Sequence, residues 1–148
     1  MERPRHFEDY EIGEERRTFG RTITETDFVI HAGHTGDFFP HHMDAEHMKS
    51  TPFGQRIAHG TMTFAIGIGL TASEINPLAF TYGYERLRFP KPVFAGDTLR
   101  AETKIVAVRE SKSRPTQGIV TFEHRGFNQR DEEVVYCRRN GLMMRRPA

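Results

Sequence analysis

Two short segments of the chain carry the side chains best suited to proton chemistry. Residues 36–44 read Gly-Asp-Phe-Phe-Pro-His-His-Met-Asp, and residues 58–60 read Ala-His-Gly. A carboxylate at Asp37 and an imidazole at His42, held by one loop, can accept and return protons. Gly60 opens an apolar run typical of a helix, and the N–H groups at a helix N-terminus stabilise a developing oxyanion. The sequence therefore predicts an enzyme that moves protons beside an oxyanion.

The histidine-rich stretch around these segments also raises the hypothesis of a metal site. Its histidines and acids are His31, His34, His41, His42 and His47 with Asp37, Asp44 and Glu46. Histidines three residues apart on one helix, such as His31 and His34, can bind zinc. No pair of ligands combines metal-site spacing with a matching distant pair, and no cysteine lies nearby. We therefore predict neither a metal nor another cofactor.

Composition narrows the class of protein. The 148 residues are expected to form one domain, 1–148, and a net charge of +1 provides no global field for nucleic acid. The single cysteine, Cys137, excludes an internal disulfide and fits a reducing compartment. Neither a signal-peptide pattern nor an apolar run of about 20 residues is present. We expect a cytoplasmic protein without nucleic-acid or membrane partners.

The first part of the chain is predicted to hold a lead-in, a strand and the start of a helix. Residues 1–16 read as irregular, with three apolar anchors: Phe7, Tyr10 and Ile12. A strand is predicted over Arg17–Ile23 because β-branched and aromatic residues recur there. Thr24 is then expected to cap a helix, with Asp27 completing a capping box.

Two helices of different character are predicted to flank the loop that contains residues 36–44. The first is expected to end at Gly33 or Gly36, and the loop 35–57 to contain one helical turn near residues 45–49. The second, residues 60–73, is small or apolar around its whole circumference, which predicts a helix buried on all sides. Its internal glycines are expected to admit a sheet or another backbone at close range.

In the rest of the chain, apolar and polar residues alternate as they do in β-strands. The predicted strands are Tyr82–Phe89, Thr98–Arg109, Gly118–Phe127 and Glu133–Met144. Only a curved sheet can cover a helix that has no polar face. The sequence therefore predicts an α+β fold in which an antiparallel sheet wraps around a long central helix.

These features together resemble the MaoC-like, (R)-specific enoyl-CoA hydratases, a family with the hot-dog fold. Residues 36–44 are similar to that family's hydratase motif, residues 58–60 to its histidine-glycine pair, and residues 89–99 to a strand connection shared by many hot-dog proteins. The likeness covers about residues 17–145. The loop and the histidine-glycine pair are fairly specific together.

The resemblance implies a mechanism without metal. In the family a carboxylate and an imidazole share one water that adds across the double bond of an enoyl thioester. By position these groups are Asp37 and His42, rather than the neighbouring His41, and the N–H of Gly60 would bind the thioester oxygen. The substrate would be carried by coenzyme A or acyl carrier protein. A homodimer joined through sheet edges is expected, and the lean hydrophobic fraction of 36% agrees with a core completed by a partner.

Further residues are candidates for substrate binding. Phe39 stands where the family usually has asparagine, which bears on the substrate class because an aromatic ring would dry the pocket. His59 is expected either to bond a carbonyl of the loop or to touch the substrate. Arg86, Arg88 and Lys91 are candidates for the phosphates of coenzyme A.

Two alternatives remain open from the sequence. A hot-dog acyl-CoA thioesterase would need a carboxylate on or facing the central helix, where Glu74 at its far end is the only acid. The replacement at Phe39 keeps open a non-catalytic acyl-binding or partner subunit. A serine-type nucleophile is not predicted, because Thr61, Thr63 and Ser73 lack the signature of a partner base.

Overall fold

The computed structural model describes residues 4–74 and 76–147, which build one antiparallel sheet around a central helix. The strands are β1 Glu15–Arg17, β2 Arg21–Thr22, β3 Ala79–Arg88, β4 Thr98–Glu110, β5 Gln117–Phe127 and β6 Glu133–Met144. Their order is β1-β4-β5-β6-β3, and β2 also pairs with β4. Strand β3 therefore lies at one edge of the sheet. The predicted α+β class is confirmed.

Among the described residues, four α-helices lie between β2 and β3. They are α1 Glu25–Thr35, α2 Pro40–Met43, α3 Ala45–Lys49 and α4 Gly60–Gly69. A 3-10 turn, Leu70–Glu74, continues α4, and another, Phe7–Asp9, lies in the lead-in. Within the described residues, no helix combines the length and apolar character needed to cross a membrane.

Local signals place α1 and α3 as predicted. The backbone N–H of Thr24 donates to Asp27 at 2.8 Å, which is the expected capping box. The helix ends at Gly36, whose φ of 78° is the left-handed conformation that glycine adopts without strain. Helix α3 occupies the predicted turn and is capped by Asp44, whose carboxylate accepts the N–H of His47 at 2.9 Å. Helix α2 was not predicted.

The central helix α4 packs against β4, β5 and β6. Its residue Met62 belongs to the buried cluster Ile23, Phe28, Ala58, Met62, Val93, Leu99, Val134 and Val135. A Cβ at Gly67 would lie 3.3 Å from Val135, so this glycine does allow the sheet to come close. At Gly69 a Cβ would meet none of the described residues within 4 Å, so no close approach is seen there in this chain.

Several boundaries differ from the sequence-based predictions. The α-helical part of α4 ends at Gly69, and its residues Thr61, Ala65 and Gly69 are exposed, so the prediction of burial on all sides was wrong for this chain alone. These three residues are spaced at i, i+4 and i+8 and form one stripe. Strand β3 begins at Ala79, three residues earlier than predicted.

The predicted strand Arg17–Ile23 is divided in two. Its ladder is interrupted at Thr18, whose hydroxyl accepts the N–H of Ala101 at 2.9 Å in place of a backbone carbonyl. Side chains that bond to the backbone in this way compete with regular pairing. In the lead-in, Phe7 and Tyr10 are buried anchors as predicted, whereas Ile12 is 67% exposed and is not an anchor.

Candidate active site

The loop after α1 fixes the backbone around Asp37. The N–H of Asp37 donates to the hydroxyl of Thr35 at 3.2 Å, and the N–H of Phe39 donates to Oδ1 of Asp37, also at 3.2 Å. Pro40 then begins α2, a position where its missing N–H costs nothing. One carboxylate oxygen of Asp37 is therefore held, and the other remains available to a ligand.

His42 presents one ring nitrogen to the same space. Its Nδ1 lies 2.8 Å from the carbonyl oxygen of Ile57 and must donate to it, so in the neutral imidazole Nε2 is the acceptor. That Nε2 is 4.0 Å from Oδ2 of Asp37. The separation is too long for a direct hydrogen bond, but a water about 2.8 Å from both atoms fits across it.

His59 contacts both Asp37 and His42. Its Nε2 donates to the carbonyl oxygen of Asp37 at 2.9 Å, and its ring stacks on His42 with centroids 3.8 Å apart. The residue is 1% exposed, and its buried Nδ1 has no hydrogen-bond partner among the residues that the structure describes. Of the two expectations for His59, the bond to a loop carbonyl is confirmed.

Gly60 brings the N-terminus of α4 next to this pair. It directly follows His59, so its N–H belongs to the first turn, where no intrahelical partner exists. A Cβ at this position would lie only 3.0 Å from the ring of Phe89. The aromatic ring thus leaves little space for a side chain at this position and covers one side of the helix end.

His31 and Thr61 belong to the site but were not predicted as parts of it. Nε2 of His31 lies 2.9 Å from the hydroxyl of Thr61, and its ring centroid is 4.8 Å from that of His59. Burial, followed by the neighbouring His59, lowers the pKa of His31 below its usual value. The contact joins residues thirty positions apart, and no local motif in the sequence signals it.

One group of described residues has the side chains to hold a metal ion. One ligand atom from each of Asp37, His42 and His59 lies within 4.8 Å of the others. The two imidazole rings, however, stack at 26° with their centroids 3.8 Å apart instead of converging on one point. The geometry suits a shared water better than a tetrahedral metal.

The remaining candidates are exposed side chains. Phe39 is 55% exposed and packs edge-on against His41, with centroids 4.7 Å apart. Arg86 is exposed in a β-bulge and has a φ of 55°. Arg88 and Lys91 are also exposed and flank Phe89, the residue that contacts Gly60. These three cations are therefore carried by the segment that passes the start of α4.

Comparison with known proteins shows which family this chain belongs to. The profile of the MaoC like domain matches residues 8–126. The chain belongs to the MaoC-like domain family. Among MaoC-like proteins, it is 36% identical over 105 residues to the 3-hydroxyacyl-thioester dehydratase Z of Mycobacterium tuberculosis, covering 68% of this chain and 69% of that protein. It is 29% identical over 119 residues to the (R)-specific enoyl-CoA hydratase of Aeromonas caviae, and this match covers 80% of this chain and 84% of that protein.

Lengths differ among the MaoC-like relatives. The match to Protein MaoC of Klebsiella aerogenes, 37% identical over 97 residues, covers 65% of this chain but only 29% of that protein. The solved MaoC-like dehydratase of Rhodospirillum rubrum superimposes with a TM-score of 0.85 at 32% identity, over 97% and 99% of the two chains. A double hot-dog protein of Mycobacterium tuberculosis is 21% identical and superimposes with a TM-score of 0.78. The match covers 97% of this chain and 45% of that protein. The predicted hot-dog fold is confirmed.

Two variants separate the contacts of His59 in this MaoC-like site. His59→Gln keeps a donor for the carbonyl of Asp37 but removes the stacked ring, and His59→Phe keeps a ring on His42 but removes the donor. Misplacing a reacting group costs rate more than affinity. We therefore expect each variant to lower the kcat of enoyl-thioester hydration by about 10-fold or more, with KM little changed. Steady-state kinetics beside thermal melting would check this. A loss confined to thermal stability would contradict it.

Proposed function

We propose that this MaoC-like chain is an acyl-thioester hydratase or dehydratase, a hydro-lyase acting at the 2,3-double bond. The observation that carries the proposal is the 4.0 Å gap between Oδ2 of Asp37 and Nε2 of His42, two acceptors facing one water-sized space. The helix N-terminus at Gly60 lies beside it. The hydratase and dehydratase names of the relatives support the same reaction class.

The proposed hydration requires no external acid or base. Asp37 and His42 hold the water, and neutral Nε2 of His42 takes its proton as the oxygen bonds to the β-carbon. The electron pair of the double bond moves into an enolate, whose oxygen is stabilised by the N–H of Gly60 and the helix dipole. The enolate then takes the proton back from His42 at its α-carbon. Dehydration follows the same steps in reverse.

The replacement at Phe39 is compatible with this mechanism. Asp37 is held by the backbone N–H of residue 39, not by its side chain. The aromatic ring points to His41 at the surface of the loop. These contacts favour an active enzyme over the non-catalytic subunit. For the thioesterase, the side chain of Glu74 lies outside the described residues.

We also propose how the substrate carrier and a second subunit are placed. Arg86, Arg88 and Lys91 beside the entrance suit the phosphates of coenzyme A. Strand β3 is an edge strand, and pairing with the β3 of a second copy would satisfy its free backbone groups. Its exposed aromatic residues Phe80 and Tyr82 would be covered in the same step.

A hydration screen over enoyl-CoA thioesters tests the proposed function. We expect loss of the conjugated thioester absorbance with at least one member of the panel, and no loss with Asp37→Asn. Thiol release should be followed in parallel. Thiol release without hydration would replace the proposal with the thioesterase, and absence of both would support a non-catalytic subunit.

A further inference from the structure

Two groups of the proposed site lie on different elements of the fold. Asp37 belongs to the loop after α1, whereas Gly60 begins α4. In the proposed hydration, the carboxylate holds the water and the N–H of Gly60 binds the oxygen of the thioester. A misplacement of about 1 Å between such groups can lower the rate by about 10²-fold. The start of α4 must therefore be fixed against α1 and its loop.

Within the described residues, the start of α4 is not held by a cap of its own. His59 occupies the N-cap position, where serine, threonine, aspartate and asparagine are preferred because their side chains accept N–H groups of the first turn. The ring of His59 makes no such bond, since it donates to the carbonyl oxygen of Asp37. Gly60, which follows, is the residue type with the greatest backbone freedom. The first turn therefore depends on contacts with other parts of the fold.

His31 on α1 supplies contacts of this kind. Its Nε2 lies 2.9 Å from the hydroxyl oxygen of Thr61, the second residue of α4, so a hydrogen bond joins the two helices. The ring of His31 also lies beside the ring of His59, with centroids 4.8 Å apart. The side chain of His31 therefore contacts both residues that flank Gly60.

The backbone of His31 is connected to the other half of the site. Its carbonyl oxygen accepts the hydroxyl of Thr35 at 2.8 Å, and the oxygen of that hydroxyl accepts the N–H of Asp37 at 3.2 Å. One residue is thus linked to the start of α4 through its ring and to Asp37 through its carbonyl group. Any aromatic ring could lie beside His59, but the bond to Thr61 requires a ring nitrogen.

We propose that His31 is a positioning residue that, through Thr61, holds the N–H of Gly60 in place relative to Asp37. The inference rests on the proposed function, which assigns the roles of Gly60 and Asp37. In this role His31 transfers no proton and binds no substrate. Loss of its bond to Thr61 lets the first turn of α4 move, which weakens an interaction that matters most in the transition state and lowers kcat with KM little changed.

A double-mutant cycle tests the pair. His31→Phe keeps a ring beside His59 but removes the nitrogen, and Thr61→Val keeps the shape of the side chain but removes the hydroxyl. We expect each change to lower the kcat of enoyl-thioester hydration by about 10-fold. Because both remove the same hydrogen bond, the double variant should also lose about 10-fold, instead of the roughly 100-fold of two independent effects. Thr61→Ser retains the hydroxyl and should retain most of the rate.

Thr22→Val is the matched control for Thr61→Val. It removes another exposed threonine hydroxyl, which lies 2.9 Å from the hydroxyl of Thr98 and joins β2 to β4. We expect its kcat to equal that of wild type. Thermal melting of all the variants would show whether a loss of rate is only a loss of folded protein.

Amide hydrogen exchange tests the contact without turnover. The N–H of Thr63 donates to the carbonyl oxygen of His59 at 3.0 Å within the first turn of α4, so its exchange rate reports opening of that turn. Loss of one hydrogen bond should make this amide exchange roughly 3–10-fold faster in His31→Phe and in Thr61→Val, and no faster in Thr22→Val.

The outcomes separate this inference from the proposed function. Unchanged kcat, additive losses of kcat, or unchanged exchange of the Thr63 amide in both variants would overturn the positioning role. Absence of hydration by wild type would contradict the proposed function alone. The exchange of the Thr63 amide would then decide whether His31 holds the start of α4.

Discussion

Asp37→Asn and His42→Ala are each expected to lower the turnover of enoyl-thioester hydration by about 10²–10⁴-fold, the usual contribution of a positioned acid or base. Asn cannot serve as a carboxylate acceptor for the shared water, and Ala removes the Nε2 that takes its proton. Both side chains are at the opening of the site, with 50% and 14% of their surface exposed, so neither change empties the core. Initial rates at saturating substrate would measure the effect, and far-ultraviolet circular dichroism would check the fold.

His41→Asn is the matched control for the pair. His41 adjoins His42 and meets its ring edge-on, with centroids 6.4 Å apart. Its ring also contacts Phe39 and His47, and its backbone carbonyl accepts the N–H of Ile57. We expect rates near those of wild type. Near-normal hydration by Asp37→Asn or His42→Ala, or an equal loss in His41→Asn, would refute the roles assigned to the pair.

Phe28→Ala is expected to lower the free energy of unfolding by about 3–5 kcal/mol, because truncating a buried aromatic leaves a cavity. Phe28 on α1 is 0% exposed and belongs to the core cluster beneath α4. Its ring lies edge-on to His59 at 6.5 Å, so the same change also removes support from the active site. Urea denaturation would measure the loss.

Val29→Ala is the control for that substitution. Val29 is the next residue of α1 but is 53% exposed, so its truncation should change the free energy of unfolding by no more than about 0.5 kcal/mol. Similar losses in both variants would show that α1 does not bury Phe28 as described.

The parts of the fold that could be predicted are those decided by neighbouring residues. The cap at Thr24 and the glycine stop at Gly36 depend on side chains within one turn, and the alternation of Thr98–Glu110 reports a strand with one buried face. Each of these signals acts over a few residues. They can therefore be recognised in the sequence without knowledge of the tertiary structure.

The parts that were missed depend on distant contacts. The break at Thr18 requires Ala101, and the exposed stripe of α4 depends on which elements cover that helix, which periodicity cannot show. In the site, the pairing of Asp37 with His42 could be predicted because one loop carries both. The contact of His31 with Thr61 could not, because it forms only after α1 packs beside α4.

The hydrogen bond from the N–H of residue 39 to Asp37 has an evolutionary consequence. Every amino acid except proline can supply that donor. Mutation at this position can therefore remodel the rim of the cleft while the carboxylate keeps its orientation.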